Sequence, residues 1–126
     1  MKQKLKIVVL ALLGWLVIVG CSTTRVYNPG TQQIRTQSSA EVVYRSIRDV
    51  GDERGWYIRK IKPGVAQGKI ALRSHVAVIR ITYSRSAYRI QYVQSRNLKY
   101  NTRKGTIHQK YNGWIRNLEN AINARL

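Results

Sequence analysis

The chain has 126 residues, and its 23 Lys and Arg against 5 Asp and Glu give a formal net charge of +18. That length is typical of one domain. With 44% hydrophobic residues, 9 Gly and 2 Pro, the composition excludes a disordered tail and a collagen-like chain. One Cys excludes an internal disulfide, and with only two His it also excludes a zinc finger or ribbon. We therefore expect no metal site and no cofactor.

The start of the chain has the pattern of a secretory signal peptide. Lys2, Lys4 and Lys6 give a positively charged beginning, and residues 7–19 form an apolar run. A membrane-spanning helix needs about twenty apolar residues, so this run is too short to cross and is typical of a leader that is removed. The sequence predicts export from the cytosol, with residues 1–20 as the cleaved signal peptide.

The last residues of this leader, Ile18, Val19, Gly20 and Cys21, resemble the lipobox of bacterial lipoproteins. The resemblance implies cleavage between Gly20 and Cys21, diacylglycerol on the Cys21 thiol, and a fatty acid such as palmitate on its new amino group. Several acyl chains anchor a protein almost permanently, since each buried methylene contributes about 0.8 kcal/mol. Ser22 in place of Asp implies sorting to the outer membrane, facing the periplasm. The alternative for Cys21 is a buried or free thiol.

The segment after Cys21 is predicted to be a flexible tether. Residues 22–37 are polar, contain Pro29 and Gly30, and have no apolar periodicity, which is typical of linkers. The predicted organisation is therefore a lipidated Cys and tether over residues 21–37, followed by a single α+β domain over residues 38–126.

A first helix is predicted to begin near Ser38. Ser38 and Glu41 have the spacing of a capping box. Apolar residues then recur on one helical face, at Ala40, Val43, Ile47 and Val50. Gly55 is a C-terminal stop signal.

The middle of the chain changes to the two-residue period of β-strands. Predicted strands cover residues 56–61, 69–73, 75–83 and 88–94. The short connection between the last two predicts a hairpin. Its simplest register places Tyr83 opposite Tyr88, Ile81 opposite Ile90, and Ile79 opposite Tyr92. The other face of the hairpin would then carry Arg80, Thr82, Arg89 and Gln91.

A second amphipathic helix closes the chain. Thr106 and Gln109 again have capping-box spacing, and apolar residues follow at helical steps from Ile107 to about Arg125. Gly113 lies inside this helix, which suggests close backbone packing on a neighbour. The predicted fold is α+β, a two-layer sandwich of a three- or four-stranded antiparallel sheet packed by an N-terminal and a C-terminal helix.

Two sets of residues bear a family resemblance. The more specific set lies at the last helix and consists of Ile107, His108, Tyr111, Asn112, Trp114, Ile115, Asn117, Leu118 and Glu119. The other comprises the Cys21 leader, Gly55, Trp56, Arg73, His75, Tyr88, Ile90, Tyr92, Ser95, Asn97, Leu98 and Tyr100. Together they resemble a family of short, uncharacterised proteobacterial envelope lipoproteins. The resemblance implies class and location, and it carries no activity.

The basic excess is the largest physical feature of the sequence. No Asp or Glu occurs between Arg54 and Arg116, and such a field attracts anions. In the envelope these would be anionic lipids, lipopolysaccharide phosphates or acidic wall polymers, and each basic side chain near an anionic membrane contributes about 1 kcal/mol. The alternative is a charged surface that only keeps the domain soluble. The candidate anion-binding residues are Arg73, Arg80, Arg85, Arg89, Arg96, Lys99, Arg103 and Lys104.

Catalytic patterns are weak. His75, His108, Ser95, Tyr92 and Tyr100 could take part in chemistry, but the spacing places no carboxylate beside either histidine, as a triad-like site would need. Surface or packing roles are the alternative. The loop over residues 95–105 is the first candidate for a small ligand site, because its Ser and Asn side chains favour turns.

The sequence thus predicts a membrane-anchored, non-enzymatic binding or structural module that contacts anionic envelope components. One alternative is an accessory subunit that docks on another envelope protein through Val76, Val78 and Val93; an enzyme is the third. Alternating Arg and Tyr over residues 80–92 is typical of single-strand binders, but export argues against nucleic acid as a natural partner.

Overall fold

A computed structural model describes residues 22–36 and 38–126. The leader, the cleavage position and Cys21 lie outside the described residues. The helices are α1 (Ala40–Glu53) and α2 (Gln109–Arg125). The strands are β1 (Thr23–Arg25), β2 (Gln32–Gln33), β3 (Tyr57–Lys62), β4 (Val65–Leu72), β5 (His75–Tyr83), β6 (Ala87–Arg96) and β7 (Thr106–His108). Within the described ranges, neither helix has the length and apolar character needed to cross a bilayer.

The fold is an α+β sandwich, as predicted. A five-stranded antiparallel sheet has the order β2-β6-β5-β4-β3, and β1 pairs with β7 in a separate two-stranded ribbon. The predicted three or four strands fall short of this, because β2 adds a fifth strand beside β6. Both helices contribute to one hydrophobic core with the inner face of the sheet. Fully buried members include Val43, Ile47, Ile79, Ile81, Ile90, Ile115, Leu118 and Ile122, and burying such a side chain stabilises the fold by about 1.5–3 kcal/mol.

The central hairpin has the predicted register. Tyr83 pairs with Tyr88, Ile81 with Ile90, and Ile79 with Tyr92. A register shift follows, since Val78 pairs with Gln94, which leaves Val93 as the extra residue of a β-bulge. The preceding strand, β4, begins at Val65, four residues before its predicted start.

Helix α1 begins one residue later than its predicted cap. Ser39 is the N-cap, and its Oγ accepts a hydrogen bond from the Val42 N–H at 3.2 Å. The predicted capping box of Ser38 and Glu41 is therefore wrong, and Glu41 instead forms an ion pair with Lys60 on β3. The end of the helix is confirmed, since Gly55 follows it with a φ of +86° that favours glycine.

The predicted flexible tether is wrong for residues 22–36, which we call the N-terminal segment. It contains β1 and β2, and its Val26, Tyr27 and Ile34 pack against the core. Pro29 is buried. The segment therefore belongs to the folded domain, although its sequence looks like a linker.

Helix α2 begins at Gln109 and not at Ile107. Thr106 lies in β7, and His108 is the N-cap, whose Nδ1 accepts from the Lys110 N–H at 3.1 Å. The predicted capping box of Thr106 and Gln109 is thus wrong. So is the close packing predicted at Gly113, where a Cβ would meet nothing within 4 Å.

Candidate functional site

The charges of the domain are divided between its two layers. All five acidic residues lie on helices, and three of them form ion pairs with basic side chains. The acidic residues are Glu41, Asp49, Asp52 and Glu53 on α1, and Glu119 on α2. The charged residues of the sheet strands are therefore all basic.

The outer face of the sheet, opposite the helices, is lined mainly by basic and polar side chains, together with Tyr57, Val76 and Val78. Strand alternation turns Ile79 and Ile81 inward to the core and Arg80 outward to solvent. The strand register then places Arg59, Gln67, Arg80 and Gln91 in one row across β3, β4, β5 and β6. We call this outer face, with its charged residues Arg59, Lys69, Arg80, Arg89 and Arg96, the basic sheet face.

A cleft opens beside the basic sheet face, at the edge of β6. It encloses about 600 Å³, within the range of small-ligand sites. Four cationic side chains line it with two tyrosines, and no acidic residue does. We call it the basic cleft; its lining is Arg25, Val26, Asn28, Arg89, Gln91, Tyr92, Tyr100, Thr102, Arg103, Lys104 and Gly105.

Stacked tyrosines form one wall of the basic cleft. The ring centroids of Tyr92 and Tyr100 are 4.3 Å apart, and the Tyr111 ring meets Tyr92 edge-on at 5.5 Å. Burial raises the pKa of the Tyr92 hydroxyl, which shares a hydrogen bond of 2.7 Å with Ser95 Oγ. Tyr100 remains 42% exposed, so it offers an aromatic face to a ligand.

The loop that carries Arg103 and Lys104 is fixed at both ends. The Asn101 side-chain oxygen accepts from the Lys104 N–H at 3.0 Å, and the Asn101 backbone carbonyl accepts from the Gly105 N–H at 2.8 Å. The Gly105 carbonyl in turn accepts from the Val26 N–H at 2.9 Å. The N-terminal segment and this loop thus hold each other in place and form two sides of the cleft.

The eight predicted anion-binding residues fall into separate places. Arg80 and Arg96 lie on the basic sheet face, Arg103 and Lys104 line the basic cleft, and Arg89 belongs to both. The other three lie elsewhere: Arg73 and Arg85 occupy the turns at opposite ends of β5, and Lys99 contacts Ser22.

Three basic residues of these surfaces were missed by sequence reasoning. Arg25 was assigned to the predicted tether, although its strand β1 holds it in the cleft. Arg59 and Lys69 lie on the same face as Arg80 only through the register of three strands. For Lys69 the available signal was its position next to the buried Ile70 in the alternating pattern of β4; β3 has no such signal, since Arg59 and Lys60 are adjacent.

The two histidines meet, but without an acid. Their ring centroids are 6.2 Å apart. His75 Nδ1 lies 2.7 Å from the Asn97 carbonyl, which can only accept, so this nitrogen donates. Burial lowers the pKa of His108, and the nearby Lys110, Lys99 and His75 lower it further. Among the described residues no hydrogen bond or ion pair joins either ring to a carboxylate, and no group of three metal-ligating side chains occurs.

The predicted apolar docking surface is discontinuous. Val78 is only 7% exposed and Val76 is half-buried, whereas Val93 is 42% exposed at the bulge. The small cleft next to Val76 and Val78 is also lined by Lys69 and Arg96. These valines therefore lie among basic side chains and form no apolar patch of their own.

A second cavity of about 380 Å³ lies on the helix side, between β2 and the end of α2. Arg35 has the one charged side chain in its lining. Tyr88 and Asn123 both line this cavity, and the Tyr88 hydroxyl donates to Asn123 Oδ1 at 2.6 Å. It lacks the concentration of positive charge found in the basic cleft.

Comparison with known proteins gives no relative: no family model, no curated protein and no solved structure matches this chain.

Proposed function

We propose that the protein is a bacterial envelope lipoprotein of the short proteobacterial family it resembles, anchored through Cys21, and that its domain binds anionic envelope components through the basic cleft. The lipobox resemblance supports the anchor. The cleft supports the binding role, because it gathers Arg25, Arg89, Arg103 and Lys104 around one volume. In this proposal the domain acts by binding and has no catalytic step.

The observation that carries the proposal is the absence of acids from the cleft lining. A basic side chain that already pairs with a carboxylate has little attraction left for a ligand. The acids of this chain lie on the helices, where Glu41 pairs with Lys60 and Glu53 with Arg125. The cleft cations keep their positive potential, which raises the local concentration of anions.

The side chains of the cleft suit phosphate or carboxylate groups. Arginine presents a planar fork of donors that can bind two oxygens at once. The exposed ring of Tyr100 adds an apolar surface beside these cations. A lipopolysaccharide phosphate with its attached sugar, an anionic lipid headgroup or an acidic wall polymer would each supply this combination.

The test compares two triple variants of equal net charge. The first replaces Arg89, Arg103 and Lys104 of the cleft by Gln. The control replaces Arg45, Arg48 and Arg54 on or next to α1 by Gln, so that both lose the same total charge. Binding of each purified protein to lipopolysaccharide, to anionic vesicles and to acidic wall polymer is measured over a series of salt concentrations.

We expect the cleft variant to bind on the order of a hundredfold more weakly than the unmodified protein, since three cations each contribute about 1 kcal/mol near an anionic surface. The control variant should lose much less. Equal losses would assign binding to net charge alone and would refute the cleft as a site. Binding of a protein partner that persists at high salt would instead favour the accessory-subunit alternative, because screening weakens charge attraction but not apolar docking.

A further inference from the structure

The described chain begins docked on the domain. The Ser22 carbonyl accepts from the Gln109 N–H at 3.0 Å, and its Oγ accepts from Lys99 Nζ at 3.2 Å. The next residue, Thr23, already pairs with His108 in the β1–β7 ribbon. Ser22 is thus held at the junction between β7 and α2, and it directly follows the proposed anchor residue.

This position leaves almost no length between an anchor and the domain. Consecutive Cα atoms are about 3.8 Å apart, so acyl chains on Cys21 would emerge beside Ser22 itself. A free tether over residues 22–37 would instead have reached roughly 50 Å at about 3.3 Å per residue. With an anchor on Cys21, the surface around Ser22 would then face the bilayer.

That surface has the composition of a membrane-contacting surface. Leu72 is 49% exposed at the end of β4 and pairs with His75, whose ring faces His108. Arg73 follows in the adjoining turn, and Lys99 contacts Ser22. We call this the anchor-proximal surface, formed by Ser22, Leu72, Arg73, His75, Lys99, His108 and Lys110; it combines one exposed apolar side chain with three permanent cations and no acid.

The backbone here is also shaped to present basic side chains. Arg73 and Lys99 have φ values of 56° and 54°. The third non-glycine residue with positive φ in the described chain is Asn97, whose carbonyl accepts from His75 Nδ1. Positive φ is uncommon for residues other than glycine, and Asn is among the few that adopt it easily. A two-residue hairpin turn favours Gly at such a position, yet this turn carries Arg.

We infer that the anchor-proximal surface lies on anionic phospholipid headgroups, with Leu72 entering the interface and β5 leading away from the bilayer. The inference rests on the proposed acylation of Cys21. The turn at Arg85 is then the far end of the domain, because the nine residues of β5 extend over about 31 Å at roughly 3.4 Å per residue. Basic side chains at this surface would strengthen membrane binding beyond that of the acyl chains, because they attract anionic headgroups.

The experiment uses the full-length processed protein in vesicles of phosphatidylcholine with phosphatidylglycerol. A photo-crosslinking residue replaces Leu72 in one sample and Arg85 in the matched control; both positions are exposed. Mass spectrometry then measures lipid adducts at each position and the acyl chains on Cys21. We expect at least fivefold more adduct at position 72 than at position 85. Replacing Arg73 and Lys99 by Gln should lower the adduct at position 72 toward the value seen in pure phosphatidylcholine.

The outcomes separate this inference from the proposed function. Acylated Cys21 with equal adducts at positions 72 and 85 would overturn the orientation and leave the anchor and the basic cleft untouched. An unacylated product would overturn both the anchor and the orientation. Adducts at position 72 that do not respond to the Gln replacements would refute headgroup recognition by Arg73 and Lys99.

Discussion

Asn112 is the residue on which the position of the N-terminal segment depends most. It lies on α2, is only 4% exposed, and is the one buried polar side chain among the described residues. Its Oδ1 accepts from the Tyr27 N–H at 2.8 Å, and its Nδ2 donates to the Arg25 carbonyl at 2.7 Å. Replacing Asn112 by Ala removes both hydrogen bonds and leaves α2 intact, since Ala favours helices.

The expected cost can be worked from these two contacts. A hydrogen bond of this kind contributes about 1 kcal/mol net, and a buried group left without its partner costs about 1–3 kcal/mol. Because Tyr27 is only half-buried, water can reach part of the exposed backbone and reduce the penalty. We therefore expect the Asn112→Ala change to lower the free energy of unfolding by about 2–3 kcal/mol.

Urea unfolding and hydrogen exchange together test this prediction. With a slope of about 1–3 kcal/mol per molar urea, the midpoint should fall by roughly 1–2 M. Amide exchange at Val26 and Tyr27 should accelerate before the core opens, and anion binding at the basic cleft should weaken because Arg25 is released. Asn117→Ala is the control, since Asn117 is exposed on the same helix and should change stability by less than about 0.5 kcal/mol.

One result would refute the reasoning. If Asn112→Ala unfolded at the same urea concentration as the control and kept the exchange protection of Val26 and Tyr27, the side chain would not hold the segment. The packing of Val26, Tyr27 and Ile34 on the core would then be sufficient by itself.

The remaining predictions concern four single substitutions. Gly51→Ala should destabilise the fold by about 1–2 kcal/mol in urea unfolding, because the new Cβ would lie 2.5 Å from Ile58 Cγ1. Gly113→Ala should instead stabilise the fold by up to about 1 kcal/mol, since a Cβ at Gly113 would meet nothing within 4 Å. The pKa of His108 is lowered by burial and neighbouring positive charges. As the pH drops below about 6.5, the histidine of the unfolded chain is therefore protonated first, and the free energy of unfolding should fall. His108→Asn, which keeps a good N-cap, should lose less stability than the unmodified protein between pH 7.5 and pH 5. Burial raises the pKa of Tyr111, so the stability gained by keeping it protonated is lost as the pH rises above about 10. Burial also raises the pKa of Tyr88, which Tyr111→Phe leaves in place, so this variant should lose less stability between pH 8 and pH 11 than the unmodified protein does.

The elements with local periodicity could be predicted from the sequence. Alternation fixes which residues of β5 and β6 face the core, so the hairpin register follows once the turn is placed. The three-and-four spacing of Val43, Ile47 and Val50 likewise identifies the buried face of α1. Each of these patterns extends over about ten residues of the chain, so it can be recognised without knowing which distant residues the element contacts.

The N-terminal segment could not be predicted in this way. Its apolar residues Val26, Tyr27 and Ile34 are irregularly spaced among polar ones. Its hydrogen-bond partner Asn112 lies 85 residues from Tyr27. The burial of this segment therefore depends on tertiary contacts with α2. Without those contacts, the same local sequence has the composition of a linker.

The start of α2 shows a second limit. Ile107 and Tyr111 are four residues apart and both are buried, which fits one face of a helix. Ile107 nevertheless lies in β7, because the strand runs directly into the helix at Gln109. A strand that ends where a helix begins can place its last apolar residue on the helical period by coincidence.

The candidate site was predictable in composition but not in shape. Arg89, Arg103 and Lys104 follow from the acid-free stretch of sequence, whereas their convergence with Arg25 depends on the ribbon of β1 and β7. The predicted loop over residues 95–105 does contribute five cleft residues, which are Tyr100, Thr102, Arg103, Lys104 and Gly105. Its other polar residues serve elsewhere, as Asn97 does beside His75.

The division of charge bears on whether the basic excess has a function beyond solubility. A protein surface that only has to keep molecules apart by charge repulsion gains nothing from placing its positive and negative charges on different layers of the fold. Here Glu41, Asp49 and Glu53 pair with basic side chains on the helical side, and the cations of the sheet face lie a layer away from them. One packed layer is about 10 Å thick, whereas charges are screened over about 8 Å at physiological salt. The charges of these three acids are therefore screened from a ligand bound in the basic cleft, and binding there should follow the number of cleft cations more closely than the net charge.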